Sequence, residues 1–353
     1  MLLWGSGPAA AQEFTAAADA YLKAEVAERK FMGTVLIARH GQVLFERAYG
    51  WADAEWKVPN TPQTIFRIGS LTKQFTAAAV VKLAQEGKLQ IEDPVARYYA
   101  GLPRGWQKIT LHQLLTHTSG IPDYTRQPRF WDAATRPETP AEIVDGVQDK
   151  PLEFAPGSKW AYSNTGYILL GIVIEEVSGK KYAEYMKQEL FEPLGMNDTG
   201  YDSPQIVLPR RAHGYVPSGE GIANAPYIDM SVPYAAGALD STARDLLRWD
   251  QALATGKLLT KHWRERIFTG YTPTDVGGSY DYDYGYGWFV AKPGRRAEYA
   301  HEGSIPGFNS KMDRFQESGL FIIVLSNLST PDIGKITAHL ASLTFGEPVP
   351  ALH

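Results

Sequence analysis

The chain contains no cysteine among its 353 residues. Disulfides, thiolate metal sites and a cysteine nucleophile are therefore excluded. The histidines also lack a ligand spacing such as His-x-x-x-His, and we expect neither a metal ion nor an organic cofactor. No apolar run reaches the roughly 18 residues of a membrane-spanning helix, so we expect no membrane span.

A strong excess of one charge sign is missing as well. The formal net charge is -4, and the 35 basic residues are scattered rather than clustered. Nucleic acid and anionic membranes are therefore not expected partners. A small neutral or zwitterionic substrate remains open, and the sequence leaves the oligomeric state unknown.

Residues 1–11 are short and apolar, and they end in Ala9-Ala10-Ala11. This pattern is similar to the rear half of a secretory signal peptide with its small-residue cleavage site. The basic start of such a peptide is missing, because the first lysine is Lys23. One hypothesis is a signal-peptide remnant on a periplasmic or secreted protein. The alternative is a frayed terminus of a cytoplasmic protein.

Apolar patterns predict strands at both ends of the chain and helices between them. The predicted strands are a hairpin at 33–48 and the runs 285–290, 297–301, 308–315 and 320–325. The predicted helices are 14–30, 71–85, 111–115, 140–147, 167–177, 182–191, 243–254 and 332–343. We therefore predict an α/β (α+β) fold whose antiparallel sheet is built from N- and C-terminal strands and flanked by helices. Residues 12–93 and 236–353 would form this α/β domain, and residues 94–235 an inserted all-α domain.

The main chemical signal is Ser70-Leu71-Thr72-Lys73 at the predicted start of a helix. Three-residue spacing puts the serine hydroxyl and the lysine amine on one helix face. A lysine can activate a serine only when part of it is neutral, and burial, nearby positive charge and the helix N-terminus all favour the neutral amine. The same spacing occurs at Ser178-Gly179-Lys180-Lys181, where a helix ends, so spacing alone is a weak signal.

Two further motifs strengthen the interpretation. Tyr162-Ser163-Asn164 precedes a predicted helix and would present a phenol and an amide to the nucleophile. His301-Glu302-Gly303-Ser304 ends a predicted strand, where Gly303 would let a substrate approach the strand edge closely. Taken singly, each motif is more typical of ordinary packing. Their joint occurrence in this order favours a serine hydrolase.

The three motifs Ser70-x-x-Lys73, Tyr162-x-Asn164 and His301-x-Gly303 resemble those of the serine β-lactamase and penicillin-binding-protein superfamily. The tyrosine makes the chain similar to class C β-lactamases, D-Ala-D-Ala carboxypeptidases, D-aminopeptidases and family VIII carboxylesterases. The similarity extends from about residue 14 to 345, and it implies a β-lactamase/transpeptidase-like fold. Further similar stretches are Leu114–Pro122, Phe191–Met196, Ala236–Ser241 and Tyr284–Trp288.

The resemblance implies a role for each matching residue. Ser70 would be acylated, while Lys73 and Tyr162 would share the proton transfers, with the identity of the base left open. Asn164 would orient Lys73 and the substrate amide. The backbone N–H groups of Ser70 and Ser304 would form the oxyanion hole.

One departure bears on the substrate. His301 stands where typical class C β-lactamases carry the lysine of Lys-Thr-Gly, and a histidine is mostly neutral at pH 7. This favours a carboxylesterase or D-Ala carboxypeptidase-like enzyme, which cleaves small carboxylic esters or amides and peptides next to D-residues, over an efficient β-lactamase, and it leaves weak β-lactamase activity open. A true class C-type β-lactamase and a catalytically silent relative that binds cell-wall fragments or self-assembles remain alternatives. An apolar acyl pocket is predicted from aromatic residues in nearby loops, namely Tyr124, Trp131, Tyr227, Tyr234 and the run 280–286.

Overall fold

The computed structural model describes residues 8–219, 221–275, 281–293, 296–330 and 333–348, with side chains from residue 11 onward. Its strands are β1 Gly33–Arg39, β2 Gln42–Tyr49, β3 Trp51–Asp53, β4 Val58–Pro59, β5 Phe66–Arg67, β6 Gly200–Tyr201, β7 Tyr215–Ser218, β8 Gly221–Asn224, β9 Leu239–Ser241, β10 Thr272–Pro273, β11 Tyr282–Tyr284, β12 Phe289–Ala291, β13 Glu298–Ile305, β14 Phe308–Phe315 and β15 Leu320–Ser326.

The α-helices are α1 Pro8–Ala27, α2 Thr72–Gln85, α3 Leu111–Leu115, α4 Phe130–Ala133, α5 Pro140–Asp145, α6 Asn164–Ser178, α7 Tyr182–Met186, α8 Glu192–Leu194, α9 Tyr234–Gly237, α10 Ala243–Thr255, α11 Lys261–Ile267 and α12 Ile333–Phe345. Short 3₁₀ helices cover Gly69–Leu71, Val95–Arg97, Arg104–Trp106 and Tyr124–Arg126, and a π-helical turn covers Lys187–Phe191. No helix in the described ranges is both long and apolar enough to cross a bilayer.

The central sheet joins the two ends of the chain. In the part of the chain that the structure describes, its eight antiparallel strands run in the order β10-β11-β12-β13-β14-β15-β1-β2, so the N-terminal hairpin pairs with the last C-terminal strand. Every residue of β15 is buried, because helices cover both faces of the sheet. This explains its continuous apolar run and confirms the predicted antiparallel sheet flanked by helices.

Two separate cores form on the two faces of the sheet. On one face, α1 and α12 pack against alternate residues of β1 and β15 such as Val35 and Val324. On the other face, the intervening residues such as Leu36 and Ile323 join a larger core that contains α2, α6 and α10. Thr242 caps α10, since its side chain accepts a hydrogen bond from the Asp245 backbone N–H.

The segment 94–235 contains strands as well as the predicted helices. The strand β6 pairs with β9 through Gly200 and Asp240, and β7 and β8 form a hairpin. These strands have two to four residues, too few for a visible alternation, and β6 depends on a partner outside the segment. The description of this segment as all-α is therefore too narrow, while the proposed boundaries of the two domains stay a prediction.

The predicted strand 285–290 is wrong at its first four residues. Residues 285–288 form the turn between β11 and β12, closed by a hydrogen bond of 2.8 Å from the Gly285 N–H to the Trp288 carbonyl. Gly287 has φ +77°, and a methyl group there would lie 2.8 Å from the Lys73 carbonyl oxygen. Glycine is required because the turn passes directly behind the predicted catalytic helix.

Candidate active site

Ser70 and Lys73 meet at the start of α2, as the spacing predicts. Gly69, with φ +52°, turns the chain into the 3₁₀ helix that carries Ser70, and α2 continues from Thr72. The Lys73 Nζ lies 3.0 Å from the Ser70 Oγ. It also donates to the Asn164 Oδ1 and to the Ala236 carbonyl, each at 2.8 Å. The amine therefore sits in a fixed position beside the hydroxyl.

Lys73 is completely buried, which changes its acid–base behaviour. Burial lowers the pKa of the Lys73 amine to about 7, because the protonated form loses its hydration, while the negative charge of Asp123 acts in the opposite direction. The nitrogen lies 4.8 Å from the centre of the Tyr162 ring and 5.4 Å from that of Tyr167. At neutral pH a large fraction of Lys73 is thus a free amine that can accept a proton.

The second motif lies on the other side of the amine. Asn164 is the first residue of α6, and Tyr162 precedes it in the connecting loop. The Tyr162 phenol hydrogen-bonds with Ser70, but burial raises its pKa above the ordinary tyrosine range. Tyr162 is therefore a protonated hydroxyl at neutral pH.

His117 supports this loop from behind. Its Nδ1 accepts a hydrogen bond of 3.1 Å from the Ser163 backbone N–H, and its ring centre lies 4.2 Å from that of Tyr162. Because Nδ1 is an acceptor, the ring proton is on Nε2. Burial, followed by the charge of Lys73, holds the pKa of His117 well below its usual value. A neutral imidazole therefore fixes the position of Tyr162.

The third motif places a neutral histidine where a cation would stand in a typical class C enzyme. The His301 Nδ1 lies 2.6 Å from the Glu302 carbonyl oxygen, which can only accept, so Nδ1 carries the proton. The Nε2 then accepts from the Tyr284 hydroxyl at 2.9 Å. Burial, followed by Lys73, lowers the pKa of His301 to about 3. Both ring nitrogens are thus used internally, and the imidazole carries no charge.

Gly303 and Ser304 bring the edge of β13 against the turn that carries Ser70. A methyl group on Gly303 would lie 2.0 Å from the Ile68 carbonyl oxygen, and one on Gly69 would lie 2.9 Å from the Ser304 nitrogen. Only glycine permits this approach on both sides. The Ser310 hydroxyl, which lies on β14 opposite Gly303, ties this turn to the sheet by donating to the Ile68 carbonyl at 2.8 Å. Ser70 and Ser304 consequently face the same cavity.

The cavity in front of Ser70 has a volume of about 470 Å³. Its apolar wall is formed by aromatic, aliphatic and proline side chains, and Lys, Arg, Asp and Glu are absent from the described residues that line it. The lining residues include Tyr124, Phe130, Trp131, Val216, Ile228 and Ile305, with Asn164, Thr125 and Ser329 as polar contributors.

The predicted pocket aromatics have different outcomes. Tyr124 and Trp131 line the cavity. Tyr234 does not: its ring packs 5.0 Å from that of Tyr182, and its hydroxyl donates to Glu175 at 2.9 Å. The backbone of Tyr234 has φ +37°, which accompanies this inward placement. Tyr227 is half exposed outside the cavity lining, Tyr284 is buried beneath His301, and Tyr280 lies outside the described residues.

Sequence reasoning missed Asp123 and His117 as contributors to the site, and it assigned Tyr284 to the acyl pocket rather than to the support of His301. Asp123 accepts hydrogen bonds from the Asn164 Nδ2 at 3.1 and 3.3 Å, and so lies directly behind the second motif. His117 lies within the segment Leu114–Pro122, and Asp123 follows it directly. The similarity of this segment to the superfamily was visible in the sequence, but no role was assigned to its residues. Within the described ranges, no cluster of three or more His, Asp or Glu side chains is suited to a metal ion.

Comparison with known proteins agrees with this geometry. A family model described as Beta-lactamase matches residues 18–344, which is most of the chain. The chain belongs to the beta-lactamase family. This beta-lactamase family member is 34% identical to "Penicillin-binding protein 4*" of Bacillus subtilis (strain 168) over 318 residues, covering 85% of the chain and 69% of that protein.

Solved structures share the fold of this beta-lactamase family member. The octameric penicillin-binding protein homologue from Pyrococcus abyssi superposes with a TM-score of 0.83 at 31% identity, covering 94% of the chain and 77% of the homologue. The D-amino acid amidase from Ochrobactrum anthropi SV3, complexed with D-phenylalanine, also gives 0.83 at 27% identity, with 95% and 99% covered. The beta-lactamase family member thus has a serine-hydrolase-like fold.

Proposed function

We propose that the protein is a serine hydrolase that forms an acyl-enzyme on Ser70 and cleaves small carboxylic esters or amides next to D-residues. The observation that carries the proposal is the buried Lys73 amine, which lies 3.0 Å from the Ser70 hydroxyl at the floor of an open cavity. A neutral amine in hydrogen-bond contact is what a serine nucleophile needs for activation.

In the acylation step, the Ser70 Oγ attacks the substrate carbonyl carbon while its proton passes to the Lys73 Nζ. The pKa of Lys73 near 7 supports lysine as the base, and the raised pKa of Tyr162 supports a role for the phenol as proton donor. The bond from the carbonyl carbon to the leaving group then breaks. The proton held by Lys73 reaches the leaving group directly or through the Tyr162 hydroxyl.

The developing oxyanion would accept hydrogen bonds from the backbone N–H groups of Ser70 and Ser304. Both residues line the cavity, and the close contact of Gly69 with the Ser304 nitrogen supports this assignment. In the second half of the cycle, water adds to the acyl carbon, Lys73 takes its proton, and the Ser70 Oγ leaves and is reprotonated.

The cavity wall favours uncharged, apolar substrates. The described residues that line it carry no charge, and together with the neutral His301 they give a substrate carboxylate no fixed cation, which disfavours β-lactams and peptides with a terminal D-Ala. The similarity to a D-amino acid amidase supports amides next to an apolar D-residue as the second substrate class after esters.

Turnover of p-nitrophenyl butyrate by wild type and Ser70→Ala tests the proposal. Wild type should show an acyl adduct on Ser70 by intact-mass spectrometry, and Ser70→Ala should lose adduct and turnover together. For wild type, kcat/KM should rise about tenfold per pH unit below pH 7 and level off above it, because Lys73 must be neutral. Equal rates for wild type and Ser70→Ala would remove Ser70 from its role.

A parallel assay separates the other candidate functions. Hydrolysis of a chromogenic cephalosporin as fast as the ester would favour a true β-lactamase, and slow acylation without release would favour a penicillin-binding protein. Failure of a serine-directed phosphonate to label the folded protein would indicate a catalytically silent relative.

A further inference from the structure

Asp123 is a buried carboxylate that does not line the cavity. It precedes the 3₁₀ helix Tyr124–Arg126 and accepts hydrogen bonds from the Thr125 backbone N–H at 3.1 Å and the Thr125 hydroxyl at 3.0 Å. Its remaining bonds come from the Asn164 Nδ2. All of these groups donate to Asp123, as they would to an ionised carboxylate.

The carboxylate determines which way the Asn164 amide points. A side-chain amide has a donor end and an acceptor end, and Asp123 accepts only from the donor end. The acceptor Oδ1 of Asn164 must then face Lys73, where it lies 2.8 Å from Nζ. With a neutral amide in place of Asp123, the reversed orientation would be equally well bonded at position 123, and an NH₂ group could then face the lysine amine.

The other groups around Lys73 cannot replace this carboxylate. His117 and His301 are neutral, and either would repel Lys73 if protonated. The remaining neighbours are the Ser70 hydroxyl, the Ala236 carbonyl and the rings of Tyr162 and Tyr167. On the outer side of Asp123, the mostly exposed Arg126 lies at 4.0 Å.

We propose that Asp123 is a positioning residue for the reaction: its carboxylate fixes the Asn164 amide so that Oδ1 holds Lys73, and its charge balances part of the desolvation of the lysine. The proposal rests on the function proposed above, because it assigns Asp123 a part in activating the Ser70–Lys73 pair. Asp123 acts through Asn164 and does not touch the substrate.

Asp123→Asn tests the proposal with almost no change of shape. Loss of the charge and of the fixed amide should lower the pKa of Lys73 by about one unit, because both changes disfavour the ammonium form. The acid limb of the pH profile of kcat/KM should move to lower pH by the same amount. The maximal kcat should fall about tenfold or more, because the amine is no longer held in place.

Exchanging the two residues gives a shift in the opposite direction. Asp123→Asn combined with Asn164→Asp keeps a hydrogen bond between the positions but places the carboxylate next to Lys73. The acid limb of the pH profile should then move to higher pH by about one to three pH units. Asp19→Asn is the matched control, since Asp19 bonds to Tyr49 and Lys23 on the opposite face of the sheet and should leave the profile unchanged.

Titration of ¹³Cε-labelled lysine by NMR makes the test independent of turnover. The Lys73 resonance, identified by its absence from Lys73→Met, should titrate lower in Asp123→Asn and higher in the exchanged pair. If wild type has no hydrolase activity, the proposed function fails while this titration still decides the role of Asp123. An unchanged Lys73 titration in both variants would overturn the proposal, and the exchanged pair alone decides it if Asp123→Asn does not fold.

Discussion

Replacing Gly303 by alanine should disrupt the oxyanion side of the site. The added methyl group would lie 2.0 Å from the Ile68 carbonyl oxygen and 2.4 Å from the Ser310 Oγ. Ordinary contacts of a methyl carbon are about 3.5 Å long, so β13 and the Ser70 turn would have to separate by more than about 1 Å. This movement breaks the hydrogen bond from Ser310 to Ile68 and withdraws the Ser304 N–H from the oxyanion.

The expected loss in kcat for p-nitrophenyl butyrate is about 100-fold, the usual effect of misplacing or removing one oxyanion donor. Overpacking should also lower the free energy of unfolding by about 1–3 kcal/mol. Gly105→Ala is the control, because nothing lies within 4 Å of a methyl group there. Ser310→Ala removes the same hydrogen bond to Ile68 without adding volume, and it should lower kcat about tenfold. Wild-type kcat and melting temperature in Gly303→Ala would refute the reasoning.

Three further predictions concern stability, measured by urea unfolding. The free energy of unfolding of wild type, relative to that of Lys73→Met, should rise by up to about 1.4 kcal/mol per pH unit between pH 7 and pH 10. In this range the unfolded lysine still binds a proton that the folded lysine has released. A difference that does not change with pH would contradict the lowered pKa of Lys73. Thr242→Ala should lower the free energy of unfolding by about 1 kcal/mol, because it removes the cap of α10. Thr242→Ser should keep most of that stability, because its hydroxyl can still act as the cap. Burial and the charge of Asp202 raise the pKa of Asp240 to about 8. Asp240→Asn should therefore become progressively more stable than wild type from about pH 4 to pH 8. A difference in the free energy of unfolding that stays constant over this range would contradict the raised pKa.

The sequence predicted the parts of the fold that have a strong local pattern. The hairpin β1–β2 and the strands β14 and β15 were found because each carries a long apolar run or alternation bounded by turn residues. The helix α10 was found from its N-terminal capping signal, Thr242 followed three residues later by Asp245. The central sheet could then be predicted, because strands at both ends of a chain need common partners.

The parts that were missed depend on distant contacts. Strands β5, β6 and β9 have two or three residues each, and they exist because segments far apart in the chain meet near Asp240. The turn at 285–288 was predicted as part of a strand because residues 285–290 form an apolar run bounded by turn residues, and its Tyr286 and Trp288 are indeed buried as strand residues would be. Only the approach of Gly287 to the backbone of α2 requires a turn there, and that contact has no local signature.

The two serine–lysine pairs of this chain show the same limit for the active site. Both pairs have the same sequence spacing, but α6 ends at Ser178, and the Lys181 side chain is 84% exposed and bonds to Glu175. The Lys73 side chain is fully buried, because Asn164 and Ala236 enclose it from two distant segments of the chain. Spacing therefore identifies only candidate pairs. Desolvation by distant segments determines which amine can take its proton, and that part of the chemistry required the folded structure.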